Sequence, residues 1–81
     1  MNNKKNNNIK KILEETFSKS KIPKNITKLK MGDLKEWDSL GNFNLLLAVE
    51  DEFNIKFTIK EISEIKSIKN LEQHVKKKNE R

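Results

Sequence analysis

Apolar residues in this chain recur at steps of three and four in separate segments, and that spacing builds helices. Ile9, Ile12, Leu13 and Phe17 fall at i, i+3, i+4 and i+8 and form one face of a first helix. Leu45, Leu46, Val49 and Phe53 repeat the pattern in a second, and Ile68, Leu71 and Val75 in a last one. Strand-like alternation is confined to Ile55-Lys56-Phe57, and no neighbouring segment offers it a partner. The fold class that follows is all-α: a small four-helix bundle with three longer helices, a short third one and a long loop between the first two.

Boundary residues agree with that reading. A polar lead over 1–8 reads as disordered, with Asn7 or Asn8 able to cap the first helix. A single domain over 9–78 follows, then a tail over 79–81. The second helix is predicted from Ser39 to Phe53 with Asp38 as N-cap. Thr58 and Glu61 occupy the two positions of a capping box that opens the third helix, which carries Ile62 and Ile65. Ser67 caps the fourth helix, and Lys76, Lys77 and Lys78 end it where cations suit the helix dipole.

Between Ser18 and Asp38 no period is sustained. Ile22, Ile26, Leu29, Met31 and Leu34 offer anchors that pin this stretch over the core. On the second helix Leu40, Phe43 and Leu47 widen the apolar arc beyond the stripe a surface helix needs. Gly41, Asn44, Ala48, Asp51 and Glu52 are left as a narrower polar face.

Composition narrows the function classes. Only 33% of 81 residues are apolar and 37% are charged, so the core must be lean. The absence of cysteine excludes disulfides, thiolate metal sites and a cysteine nucleophile. His74 is the single histidine and reads as a surface or rim residue. With no base–nucleophile pair and no metal-ligand cluster, neither catalytic nor metal-binding residues are expected, and the chain is not read as an enzyme. The longest apolar run, Leu45 to Val49, falls far short of a membrane span, and the lead lacks a secretory apolar region. A soluble, cytoplasmic monomer without a membrane role is the expectation.

The net charge of +6 is unevenly spread. Residues 1–31 carry +7, residues 32–53 carry −5 and residues 54–81 carry +4, so an acidic centre lies between basic ends. Seventeen of the basic residues are Lys and one is Arg. Nucleic-acid surfaces lean on bidentate Arg contacts, so the ends read as solvated surface and no nucleic-acid partner is expected. A small Lys-rich helical module that binds nucleic acid, or a protein-interaction domain without a prosthetic group, is the alternative reading.

The run Glu36-Trp37-Asp38-Ser39-Leu40 places a serine hydroxyl at the first turn of the second helix. Unpaired N–H groups and the helix dipole favour a negative group there, such as a phosphodiester. Asp38-Ser39-Leu40, the apolar stretch Leu45 to Val49, the acidic Glu50-Asp51-Glu52 before Phe53, and Thr58, Ile65, Ile68 and Val75 together resemble the acyl carrier protein family. The pattern runs without a gap from Leu34 to about Val75; the first helix and loop are similar only in length and pattern. Two features depart from it: Gly41, Asn42 and Asn44 are uncharged where fatty-acid carriers are usually acidic, and the whole chain is basic. Trp37 before Asp38 looks more like carriers of specialised or aminoacyl pathways.

The resemblance implies a shuttle for acyl or aminoacyl groups. Ser39 would be the attachment point for 4′-phosphopantetheine donated by coenzyme A, with Asp38 and Leu40 as further cofactor-binding residues and Asp38 also contacting the modifying transferase or its Mg²⁺–coenzyme A substrate. A phosphopantetheinyl transferase would add the arm, and activating, transferring and synthase enzymes would use it. Leu40, Phe43 and Leu47, flanked by Glu50 and Asp51, form a candidate partner face up one side of the helix. Trp37 reads as a loop anchor. Leu45, Val49, Phe53, Ile62, Ile65 and Ile68 read as core, and the resemblance adds a cleft between the second and third helices able to shelter an acyl chain.

Overall fold

The computed structural model describes residues 4–79, with side chains over 8–78. Four α-helices follow in order: α1 (Lys4–Thr16), α2 (Ser39–Phe53), α3 (Ile59–Glu64) and α4 (Ile68–Asn79). Helix α1 opens at Lys4, inside the stretch expected to be disordered. Asn7 and Asn8 are therefore helical residues and not caps. Met1–Asn3, Glu80 and Arg81 lie outside the described residues, and Asn79 is the last residue of α4.

Helix α1 delivers Ile9, Ile12, Leu13 and Phe17 to the core, all at 5% exposure or less. Its main helical neighbour is α2. Asp38 caps α2 as expected: its carboxylate accepts from the Gly41 N–H at 2.8 Å. The helix ends because Asn54 turns left-handed (φ 56°, ψ 48°), a conformation Asn tolerates well, and its N–H reaches back to the Glu50 carbonyl. Phe57 is then buried and Ile55 half-buried around an exposed Lys56, so the alternation is one of burial, without strand pairing.

The capping box forms in full. Glu61 N–H donates to Thr58 Oγ1 at 3.1 Å, and Thr58 N–H donates to Glu61 Oε1 at 2.8 Å. Ser67 Oγ accepts from the Asn70 N–H at 3.1 Å and opens α4. The long loop is tied down by an isolated antiparallel bridge, Lys30 with Ser67, through Met31 N–H to Lys66 O (2.8 Å) and Ile68 N–H to Leu29 O (2.9 Å). Glu36 Oε1 accepts from Lys19 N–H and Ser20 Oγ, both at 3.0 Å, so the loop also fastens the end of α1. Of the proposed loop anchors Ile26 is buried, whereas Ile22, Leu29, Met31 and Leu34 are half-buried against the core. Among the described residues no helix is long and apolar enough to cross a membrane.

Candidate functional site

Ser39 is the first residue of α2 and is exposed, as are Asp38 before it and Leu40 after it. Asp38 fills both halves of a cap: its carboxylate takes the Gly41 N–H, and its carbonyl accepts the first helical bond, from Asn42 N–H at 2.7 Å. Among the described residues the N–H groups of Ser39 and Leu40 have no acceptor within the protein. Two free donors at the positive end of a fifteen-residue helix thus adjoin an accessible hydroxyl. That arrangement can hold a phosphodiester on Ser39, and the unpartnered amides are what an attached anionic group would find.

The turn is positioned from below. Trp37, 1% exposed, stacks on Phe17 with ring centroids 5.8 Å apart and planes inclined at 29°. Its Nε1–H donates to Asn42 Oδ1 at 2.9 Å, and Asn42 Nδ2 donates to the Ile65 carbonyl at 2.8 Å. The base of the site, the first turn of α2 and the C-cap of α3 meet at Asn42. Gly41 packs so closely that a Cβ there would fall on the Glu36 carbonyl oxygen and lie 3.1 Å from Phe17 Cε1.

These contacts revise the expected faces of α2. Gly41 is buried and Ala48 half-buried, so neither belongs to the polar face, which reduces to Asn44, Asp51 and Glu52. The broad apolar arc splits in two. Leu45, Leu46 and Val49 point inward at 1% exposure or less, while Leu40 (68%), Phe43 (43%) and Leu47 (45%) face outward beside Ser39. Of the remaining expected core residues, Ile65 and Ile68 are buried, and Phe53 and Ile62 pack half-buried against them.

Asp51 is exposed next to the outward stripe, but Glu50 is half-buried and turned to internal use. Its Oε2 accepts from the Phe57 N–H at 2.6 Å and closes the connector after α2. Leu47, Ala48, Asp51, Asn54, Ile55 and Lys56 join Glu50 around an open depression of about 510 Å³ at this end of the helix. His74 is half-buried with Nδ1 3.0 Å from the Asn70 carbonyl, a contact within α4. Among the described residues no three His, Asp or Glu side chains cluster closely enough to hold a metal ion.

Titration is perturbed elsewhere in the bundle. The Thr58 N–H holds the Glu61 carboxyl below the usual carboxylate range, helped by Lys78 Nζ at 2.9 Å against the opposing effect of burial. A hydrogen bond from the Lys30 side chain does the same for Asp33, and burial pushes Glu72 up.

Asn42 is the residue that spacing alone left unassigned. Its signal was present: 42, 45, 46 and 49 form one helical stripe, and a buried indole five residues earlier needs an acceptor. A scan against protein-family models finds no match, and searches of curated proteins and of solved structures find none either.

Proposed function

We propose that this chain is a carrier: Ser39 holds a 4′-phosphopantetheine arm derived from coenzyme A and shuttles acyl or aminoacyl groups between partner enzymes. The observation that supports this most is the placement of Ser39, exposed at the first position of α2 beside two free amides and an outward apolar stripe. The four-helix order with a short α3 and a long, tied-down first loop supports an acyl-carrier-like fold as part of the same proposal.

In the attachment step Ser39 Oγ forms a bond to the pantetheine-side phosphorus of coenzyme A. The pyrophosphate P–O bond breaks, adenosine 3′,5′-bisphosphate leaves, and the hydroxyl proton passes to a phosphopantetheinyl transferase working with Mg²⁺. The bound arm supplies the thiol that a cysteine-free chain lacks. Asp38 keeps the helix start ordered, and Leu40, Phe43 and Leu47 offer an apolar face with Asp51 at its edge.

The exposed stripe also favours a second reading, an interaction domain that never receives an arm. Intact mass separates the two. Incubation with coenzyme A, Mg²⁺ and a promiscuous transferase is expected to add one phosphopantetheine to the wild-type chain and none to Ser39→Ala. No gain on a folded wild-type chain would leave Ser39 as a helix start and favour the interaction domain.

A further inference from the structure

The inward side chains of α2 are those of Asn42, Leu45, Leu46 and Val49, beside the buried Gly41, and the polar one is the inward side chain nearest Ser39 in sequence. Asn42 is 6% exposed, and its amide is used on both sides, by the Trp37 indole and the Ile65 carbonyl. Trp37 fills the space ahead of it and rests on Phe17. Among the described residues no buried side-chain nitrogen or oxygen lacks a hydrogen-bond partner.

An alkyl chain following the inner face of α2 from Ser39 meets Asn42 first. To pass, it must part α2 from Ile65, break the Asn42–Ile65 bond and displace the indole. The amide, the indole N–H and the carbonyl would then face methylene groups that offer no hydrogen bond. That penalty opposes whatever the chain gains by leaving water. A short or polar cargo gains little from burial and loses nothing by staying outside.

We infer that Asn42, backed by Trp37, is a specificity-determining residue that bars apolar cargo from the interior between α2 and α3, so that the group carried at Ser39 rides outside the bundle and is short or polar. This rests on the carrier function proposed above, but it can be tested apart from it. The chain has no cysteine, so Ser39→Cys creates a unique attachment point for thiol-reactive pantetheine derivatives bearing acetyl, hexanoyl or decanoyl amides. Because this arm is attached chemically, the series reads the interior whether or not a transferase modifies the wild-type serine.

With Asn42 and Trp37 intact, the three conjugates are expected to share one melting temperature and one hydrogen-exchange rate at the Trp37 indole. With Asn42→Leu and Trp37→Phe added, which removes the amide and the indole N–H and leaves the Ile65 carbonyl as the one polar group at the entrance, the decanoyl conjugate is expected to melt several degrees above the acetyl one. A rise in melting temperature with chain length while Asn42 and Trp37 are intact would overturn the inference. So would the absence of chain-length dependence in both backgrounds, since Asn42 would then not be what excludes the chain. Should the triple variant fail to fold, the same series on Asn42→Leu with Trp37 kept takes its place, and the same two outcomes overturn the inference.

Discussion

Asn42 ties together more of this fold than its size suggests. One amide satisfies a buried indole and a buried carbonyl that belong to two other segments. Asn42→Ala strands both, and each unsatisfied buried group costs about 1–3 kcal/mol, so a loss of about 2–6 kcal/mol is expected in urea unfolding. Asn44→Ala, two residues on and exposed, is expected to stay within about 0.5 kcal/mol. Equal losses for the two would show that the Asn42 bonds contribute nothing specific. At this scale the sequence was a partial guide. Asp38, Ser39, Thr58, Glu61 and Ser67 take their expected positions at helix starts because capping is a local competition for N–H groups within one turn. The burial of Gly41 and Asn42 is not legible in helical spacing alone because it depends on Glu36, Phe17, Trp37 and Ile65, which lie outside their own helix.

Helix α3 is six residues long, buries none of them and exposes Ile59 at 87%. It is held by its ends: the capping box in front, the Asn42–Ile65 bond behind, and Lys78, whose Nζ pairs with Glu61 and lies 5.9 Å from the Phe57 ring centroid. Thr58→Ala is expected to cost about 1 kcal/mol and to speed amide exchange in α3 before the other helices. Glu61 adds a pH dependence. Its carboxyl titrates lower in the folded chain than in the unfolded one, so its contribution is complete above the ordinary carboxylate range and fades as pH falls through the depressed value. Glu61→Gln should remove that slope from a melting-temperature profile, and an unchanged slope would assign it to other carboxylates. On α2 the outward stripe makes a separate prediction. Leu47, at 45% exposure, should accept Asp with the fold intact, and if the chain is the carrier proposed above its partner enzymes should lose use of it. Loss of helical circular dichroism in Leu47→Asp would instead place that side chain in the core.

For the whole molecule, charge is arranged as an acidic centre between basic ends, and the acidic stretch contains both Ser39 and the outward stripe of α2. On the carrier function proposed above, partner association through that face should weaken as salt rises from about 0.05 to 0.5 M, since exposed charges are screened beyond about 10 Å at 0.1 M. Salt-insensitive binding to a partner enzyme would mean that the apolar stripe acts without the surrounding carboxylates. The all-α class, the helix order and the helix starts after Asp38, Thr58 and Ser67 were set by the sequence itself, because periodicity and capping act over one or two turns. The extension of α1 back to Lys4 was not legible, since a run of Asn gives no apolar period to follow. Only the tertiary structure decided which half of the α2 arc turns inward, that Glu50 closes a connector, and that Trp37 and Asn42 join the serine's helix to α3. Each of those outcomes depends on which buried polar groups find partners across separate segments, and such partners meet only when the chain has closed on itself.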